Sequence, residues 1–227
     1  MRERPILFNA DMVRAVLNGS KTQTRRIMKV QPSADFSPMN MEFETDFTAR
    51  WYTPSVVDKQ GYLQPAKKQV FGVAIEDEGY TCPFGAVGDR LWVRETWRGV
   101  VAINAPEASQ ELGIARYVPD QEYCREVHYR ATHEVDKEPW RPSLHMPRWA
   151  SRITLEITGV RVERLQDISQ ADAKAEGCWY GRGGGEPDFA VSPADHFPTL
   201  WASIYGEESW QANPWVWVIE FKRVEVE

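Results

Sequence analysis

Long apolar runs, paired cysteines and an excess of positive charge are all missing from this chain of 227 residues. No stretch approaches the eighteen or so consecutive apolar residues that a membrane span requires, so no membrane partner is expected. The N-terminal MRERPILFNADMV opens with arginines, but Asn9 and Asp11 interrupt its apolar stretch almost at once. That pattern is not a signal peptide, and it points to the cytoplasm. Cys82, Cys124 and Cys178 are odd in number and more than forty residues apart, which excludes both a disulfide framework and a CxxC metal knuckle. They read as reduced, mostly buried thiols. Asp and Glu number 33 against 27 Lys and Arg, for a net charge of −6, which argues against broad binding to duplex DNA. A nucleic-acid ligand needs a local basic patch, and Arg25-Arg26 is where one would form.

Several catalytic signatures are absent too. GRGGGE, residues 181–186, puts glutamate where GxGxxG needs its third glycine, and it follows a helix where a dinucleotide site needs a strand. Gly19-Ser20-Lys21-Thr22 superficially resembles a P-loop but lacks the glycine directly before the lysine. His133-Glu134 begins an HExxH match that fails at Lys137, and Cys82 precedes its proline with no second cysteine three residues on. Neither a metal ligand set nor a cofactor is therefore expected.

What is present suits a globular protein with its own core, since 42% of the residues are hydrophobic. Met12, Val13, Val16 and Leu17 share one face at helical spacing over residues 10–18, and Gly19 suits the position past a helix end. The following threonines and Ile27 favour an extended segment. Residues 32–82 have scattered prolines and mixed polarity, and read as an insertion or elaborate loop region inside a single domain spanning 1–227. Gly88-Asp89 makes a turn into a strand over LWVRETW, and EVHYRA is a further strand. KEPWRPSLHMPRWA, at about 138–150, is rich in tryptophan, proline and arginine. SRITLEITGVRVERL reads as two strands around Gly159. SQADAKAEG is a helix capped by Ser169 and closed by Gly177, GRGGGE is a mobile loop, SPADHFPTLWASIYG is a helix ending at Gly206, and PWVWVIEFKRVEVE is a closing strand. Short strands without regular strand–helix alternation favour a small mixed α+β barrel over a doubly wound sheet.

Four segments in this order, GSKTQTRR after the first helix, GDRLWVRETW, ADAKAEG and PWVWVIEFKRV, resemble the ASCH family. The long insertion and the tryptophan-rich stretch resemble its larger phage and prophage members. The resemblance implies a PUA-like β-barrel flanked by short helices, and a nucleic-acid or nucleoside ligand. Some compact members are amidohydrolases that remove the acyl group from N4-acetylcytidine with a lysine, a threonine and a glutamate. Matched motif by motif, these are Lys21, Thr24 and Glu176.

That chemistry is coherent for these residue types. Thr24 attacks the acyl carbonyl, Lys21 accepts its proton once burial has lowered its pKa, and Glu176 binds the cytosine edge and protonates the departing amine. Residues 21 and 24 are an odd number apart, so they share a site only if the strand is not regular from residue 20. Other readings stand beside this one. Lys21 also reads as a solvated cation at a helix C-terminus, and Thr24 as an ordinary strand residue. Arg25 and Arg26 would face opposite ways, one toward substrate and one toward a carboxylate. Glu95 is a further pocket residue or a partner for Arg25 or Arg94. Among Trp97, Trp140, Trp149 and Trp179, Trp179 is the expected stacking residue. The expected partner is a modified cytidine nucleoside or single-stranded RNA. The alternatives to an enzyme are a non-catalytic RNA or modified-base binding module and a phage-derived interaction protein.

Overall fold

The structure, a computed structural model, describes residues 1–101, 121–134, 139–178, 181–183, 186–188 and 191–224. It is a mixed α+β protein, mostly strands with a few short helices, and no closed barrel is formed among the described residues. No helix among them is long and apolar enough to cross a membrane. The chain weaves through two compact units. The first holds Met1–Lys21, Arg90–Glu156 and Arg223–Glu227, and the second holds Thr22–Asp89 and Ile157–Lys222.

In the first unit, β1 (Glu3–Leu7) runs parallel to β8 (Arg90–Arg94), and the first three residues of β11 (Thr154–Arg164) run antiparallel to β8. Leu91, Trp92 and Val93 are all buried, so β8 is covered on both faces. Helix α1 (Ala10–Leu17) forms as its apolar spacing predicts. Asn9 caps it by accepting from the Met12 N–H at 2.8 Å, and Gly19 ends it at φ +79°. The strands β9 (Trp97–Val101) and β10 (Cys124–Tyr129) form an antiparallel pair. Residues 139–150 fold onto them. Arg141 exchanges backbone hydrogen bonds with Trp97, and Met146, Ala150 and Trp149 pack on the fully buried Trp97 ring. Trp97 is thus a core residue with the half-buried Trp149 packed against it, and Trp140 lies beneath the guanidinium groups of Arg98 and Arg130.

The second unit pairs β14 (Trp215–Val224) with β2 (Gln23–Ile27) in an antiparallel ladder that sets Ile219 opposite Thr24 and Val218 opposite Arg25. Helices α2 (Gln170–Ala175) and α3 (Pro193–Tyr205), each capped by a serine, supply Ala173, Phe197 and Trp201. These pack with Leu165, Cys178, Val216 and Val218 into one apolar cluster. A last helix, α4 (Glu207–Gln211), follows Gly206.

Within residues 32–82, five short strands stand among the loops. They form a three-stranded sheet of β3 (Arg50–Tyr52), β6 (Val70–Ala74) and β7 (Gly79–Thr81), and a hairpin of β4 (Ser55–Val57) and β5 (Leu63–Pro65). These strands are too short for a period-two pattern to stand out among the prolines. Two expectations need correction. First, Gly159 does not divide two strands, because β11 runs unbroken through it. A Cβ there would lie 2.7 Å from the Glu220 carboxylate, so this glycine permits a close approach, not a turn. Secondly, the glycine run, expected as a loop, enters a short antiparallel pair, β12 (Gly181–Gly183) with β13 (Glu186–Asp188).

Candidate functional site

The segment Gln23-Thr24-Arg25 starts β2 and is buried throughout, which is unusual for three polar residues in a row. Alternation along the strand sends Gln23 and Arg25 to the face where Val218 and the helices pack, and Thr24 to the other face with Ile219. Arg25 has no exposed side-chain surface, and three carboxylates surround it. Its Nη1 donates to Glu176 Oε1 at 3.1 Å, its Nη2 bonds Glu163, and Asp172 Oδ2 stands 3.6 Å away. The guanidinium carbon lies 5.8 Å from the centre of the Phe197 ring.

Local structure explains this convergence. Asp172 and Glu176 are four residues apart, so they emerge from one face of α2 and its C-terminal cap. Ser169, the N-cap, accepts from the Asp172 N–H at 3.1 Å and donates to its carboxylate at 2.8 Å, which holds that side chain in place. Arg161 and Glu163 share a face of β11. Arg161 bonds Glu163 at 3.1 Å and Asp172 at 2.8 Å, and also bonds Glu220. Two guanidinium groups thus tie together four carboxylates.

The charges shift one another's proton affinities. Burial alone would raise the Asp172 pKa, but the Ser169 hydroxyl, Arg161 and Arg25 outweigh it and hold the group below its ordinary value. Burial alone would lower the Arg161 pKa, and Glu163, Asp172 and Glu220 raise it instead. A carboxylate with a depressed folded-state pKa contributes stability above its unfolded pKa, about 3.9 for aspartate, and loses it as pH falls toward the folded value. The midpoint of urea unfolding is therefore expected to drop between pH 5 and pH 3, and Asp172→Asn should flatten that part of the profile. An Asp172→Asn profile as steep as wild type would contradict the assignment.

Thr24, Arg25 and Glu176 belong to the second unit, where the structure joins Arg25 to Glu176 and turns Thr24 to the opposite face of β2. The Thr24 Oγ1 is buried and has no hydrogen-bond partner among the described residues. The regular strand begins at Gln23, so Lys21 lies outside it and the odd spacing of 21 and 24 sets no face for the lysine. Lys21 belongs to the first unit. Its N–H donates to the Ala15 carbonyl at 2.9 Å, and its Nζ lies 5.7 Å from the Phe8 ring centre. At 2% exposure it is not a solvated helix-end cation.

Arg26 donates to the Tyr205 hydroxyl at 3.1 Å. Glu95 is buried in the first unit, and its partner is neither Arg25 nor Arg94. Arg152 grips it with two bonds of 2.9 and 3.0 Å. Trp179 lies outside the described residues. Arg161, Glu163 and Asp172 were not anticipated from sequence. The acidic pair at spacing four in ADAKAE and the alternating Arg161 and Glu163 were the available signals. Comparison with family models, with curated proteins and with solved structures finds no match.

Proposed function

We propose that this chain is a cytoplasmic nucleoside- or RNA-binding protein of the ASCH type, built on a PUA-like barrel, that hydrolyses the amide of an N4-acylated cytidine. One observation supports this most. The three residues that the family resemblance assigns to catalysis, Lys21, Thr24 and Glu176, are 2%, 1% and 7% exposed, and the threonine hydroxyl is buried without a partner among the described residues. A buried polar group without a hydrogen bond costs about 1–3 kcal/mol, which a bound ligand that supplies the partner would recover. An acyl oxygen or an exocyclic amine of a bound base would supply the missing partner.

In this reading the Thr24 hydroxyl attacks the acyl carbon and Lys21 takes its proton. The tetrahedral intermediate collapses as the proton taken by Lys21 passes to the N4 nitrogen, cytidine leaves, and water hydrolyses the threonine ester. Glu176, on the Arg25 side of β2, binds the cytosine edge, which has to reach it around the open edge of that strand. Arg25 acts as a positioning residue, because its bond to Glu176 holds that carboxylate in one orientation.

Purified protein is expected to hydrolyse N4-acetylcytidine, followed by loss of the acylated base's absorbance. Lys21→Ala, Thr24→Ala and Glu176→Ala should each reduce turnover by at least about 10²-fold, the usual contribution of one acid–base group. A folded wild type without turnover would overturn the enzymatic reading. Tight binding of RNA oligomers in that case would identify a non-catalytic module, and its absence a phage-derived interaction protein.

A further inference from the structure

We propose that Glu126, His128 and His133, in the first unit and outside the residues discussed above, bind a divalent transition-metal ion of the zinc class. Glu126 and His128 are two apart on β10, so both side chains leave the same face of the strand. The chain then turns back on itself. The N–H groups of Thr132 and His133 both donate to the Tyr129 carbonyl, at 3.0 and 2.9 Å. That turn lays the His133 ring on His128, with centres 4.4 Å apart and planes 20° from parallel. One ligand atom from each of the three residues lies within 4.8 Å of the other two.

The distances suit a small ion. Two donors on a tetrahedral zinc ion with bonds of about 2.1 Å stand about 3.4 Å apart. His128 Nε2 and Glu126 Oε1 are already 3.2 Å apart, and His133 has to close in by on the order of 1 Å, within reach of a side-chain adjustment. Two imidazoles and one carboxylate favour zinc, cobalt or nickel over calcium or magnesium, which select oxygen. Three protein ligands also leave further coordination positions open. The Tyr129 N–H donates to His133 Nδ1 at 3.1 Å, so Nδ1 accepts and the ring proton sits on Nε2, from which metal binding has to displace it.

Arg98 opposes the ion. Its Nη2 is 2.9 Å from His128 Nδ1, and arginine can only donate, so Nδ1 accepts and the ring proton sits on Nε2 toward Glu126. Metal uptake at Nε2 of the neutral ring puts that proton on Nδ1, which can then no longer accept from Arg98, so binding breaks the arginine's bond. The ion and the arginine thus compete for one imidazole.

The test is titration of the full chain, free of any affinity-tag histidines, with Zn²⁺ and with Co²⁺, whose visible absorption reports low-coordinate binding. One equivalent is expected to bind. His128→Asn, His133→Asn and Glu126→Gln should each weaken binding by about tenfold or more. His145→Asn should leave it unchanged, and Arg98→Met should tighten it. Glu126 is exposed, so its variant serves even if a histidine variant fails to fold. Less than one equivalent bound at 0.1 mM Co²⁺, or equal affinity in wild type and the three ligand variants, would overturn the site.

Discussion

Arg25→Ala is expected to destabilise the protein by about 3–5 kcal/mol, the cost of stranding charge that was buried and paired. The arginine side chain is fully buried, and Glu176 is 6% exposed at its side chain, so water cannot replace the lost guanidinium there. Glu163 and Asp172 retain Arg161, but they would then crowd Glu176 with like charge. Adding Glu176→Gln to Arg25→Ala should recover part of the loss, because it removes the worst-placed carboxylate. Arg25→Lys should recover less, since one ammonium cannot span three carboxylates as a planar guanidinium does. Urea unfolding of the four proteins measures this directly. A loss below about 1 kcal/mol for Arg25→Ala, the level of an exposed ion pair, would show that the network is not energetically coupled.

Glu95→Ala should cost nearly as much, about 3 kcal/mol, near the lower end of the range for a broken buried pair. The carboxylate is 2% exposed and doubly bonded, but Arg152 is 26% exposed and can rehydrate in part. Arg152 also keeps two other partners. Its guanidinium carbon lies 3.9 Å from the Tyr129 ring centre, and its Nη1 donates to Thr132 at 3.0 Å. Glu95→Gln should cost less than Glu95→Ala, because an amide oxygen still accepts one of the two bonds. The check is again denaturant unfolding, and equal losses for Ala and Gln would mean that the negative charge, not the hydrogen bonds, carries the interaction.

Glu95 illustrates how far sequence reasoning reached. The glutamate that follows the strand reads from sequence as a pocket residue or a partner for Arg25 or Arg94, but its partner is Arg152, 57 residues along the chain. No spacing rule connects them. The same holds for Arg25, whose partners Glu163, Asp172 and Glu176 come from one strand and one helix more than a hundred residues away. The short strands within residues 32–82 were not legible for a related reason. Three-residue strands such as Gly79–Thr81 are defined by their neighbours' hydrogen bonds and barely at all by their own side chains.

Local rules did determine a good deal of this protein. Helix α1 with its glycine stop, the serine caps of α2 and α3, the turn before β8 and the closing strand β14 all follow from residues within a few positions of each other, because caps, turns and apolar periodicity are short-range. Motif resemblance singled out Lys21, Thr24 and Glu176, and the paired arginines singled out Arg25; all four are buried. Only the tertiary structure decided their company. It gave Arg25 three carboxylates, joined it to Glu176, turned Thr24 to the other face of β2, and stacked His133 on His128. Such pairings depend on strand register and on the closure of long loops, and their energies arise only once distant segments have excluded water together.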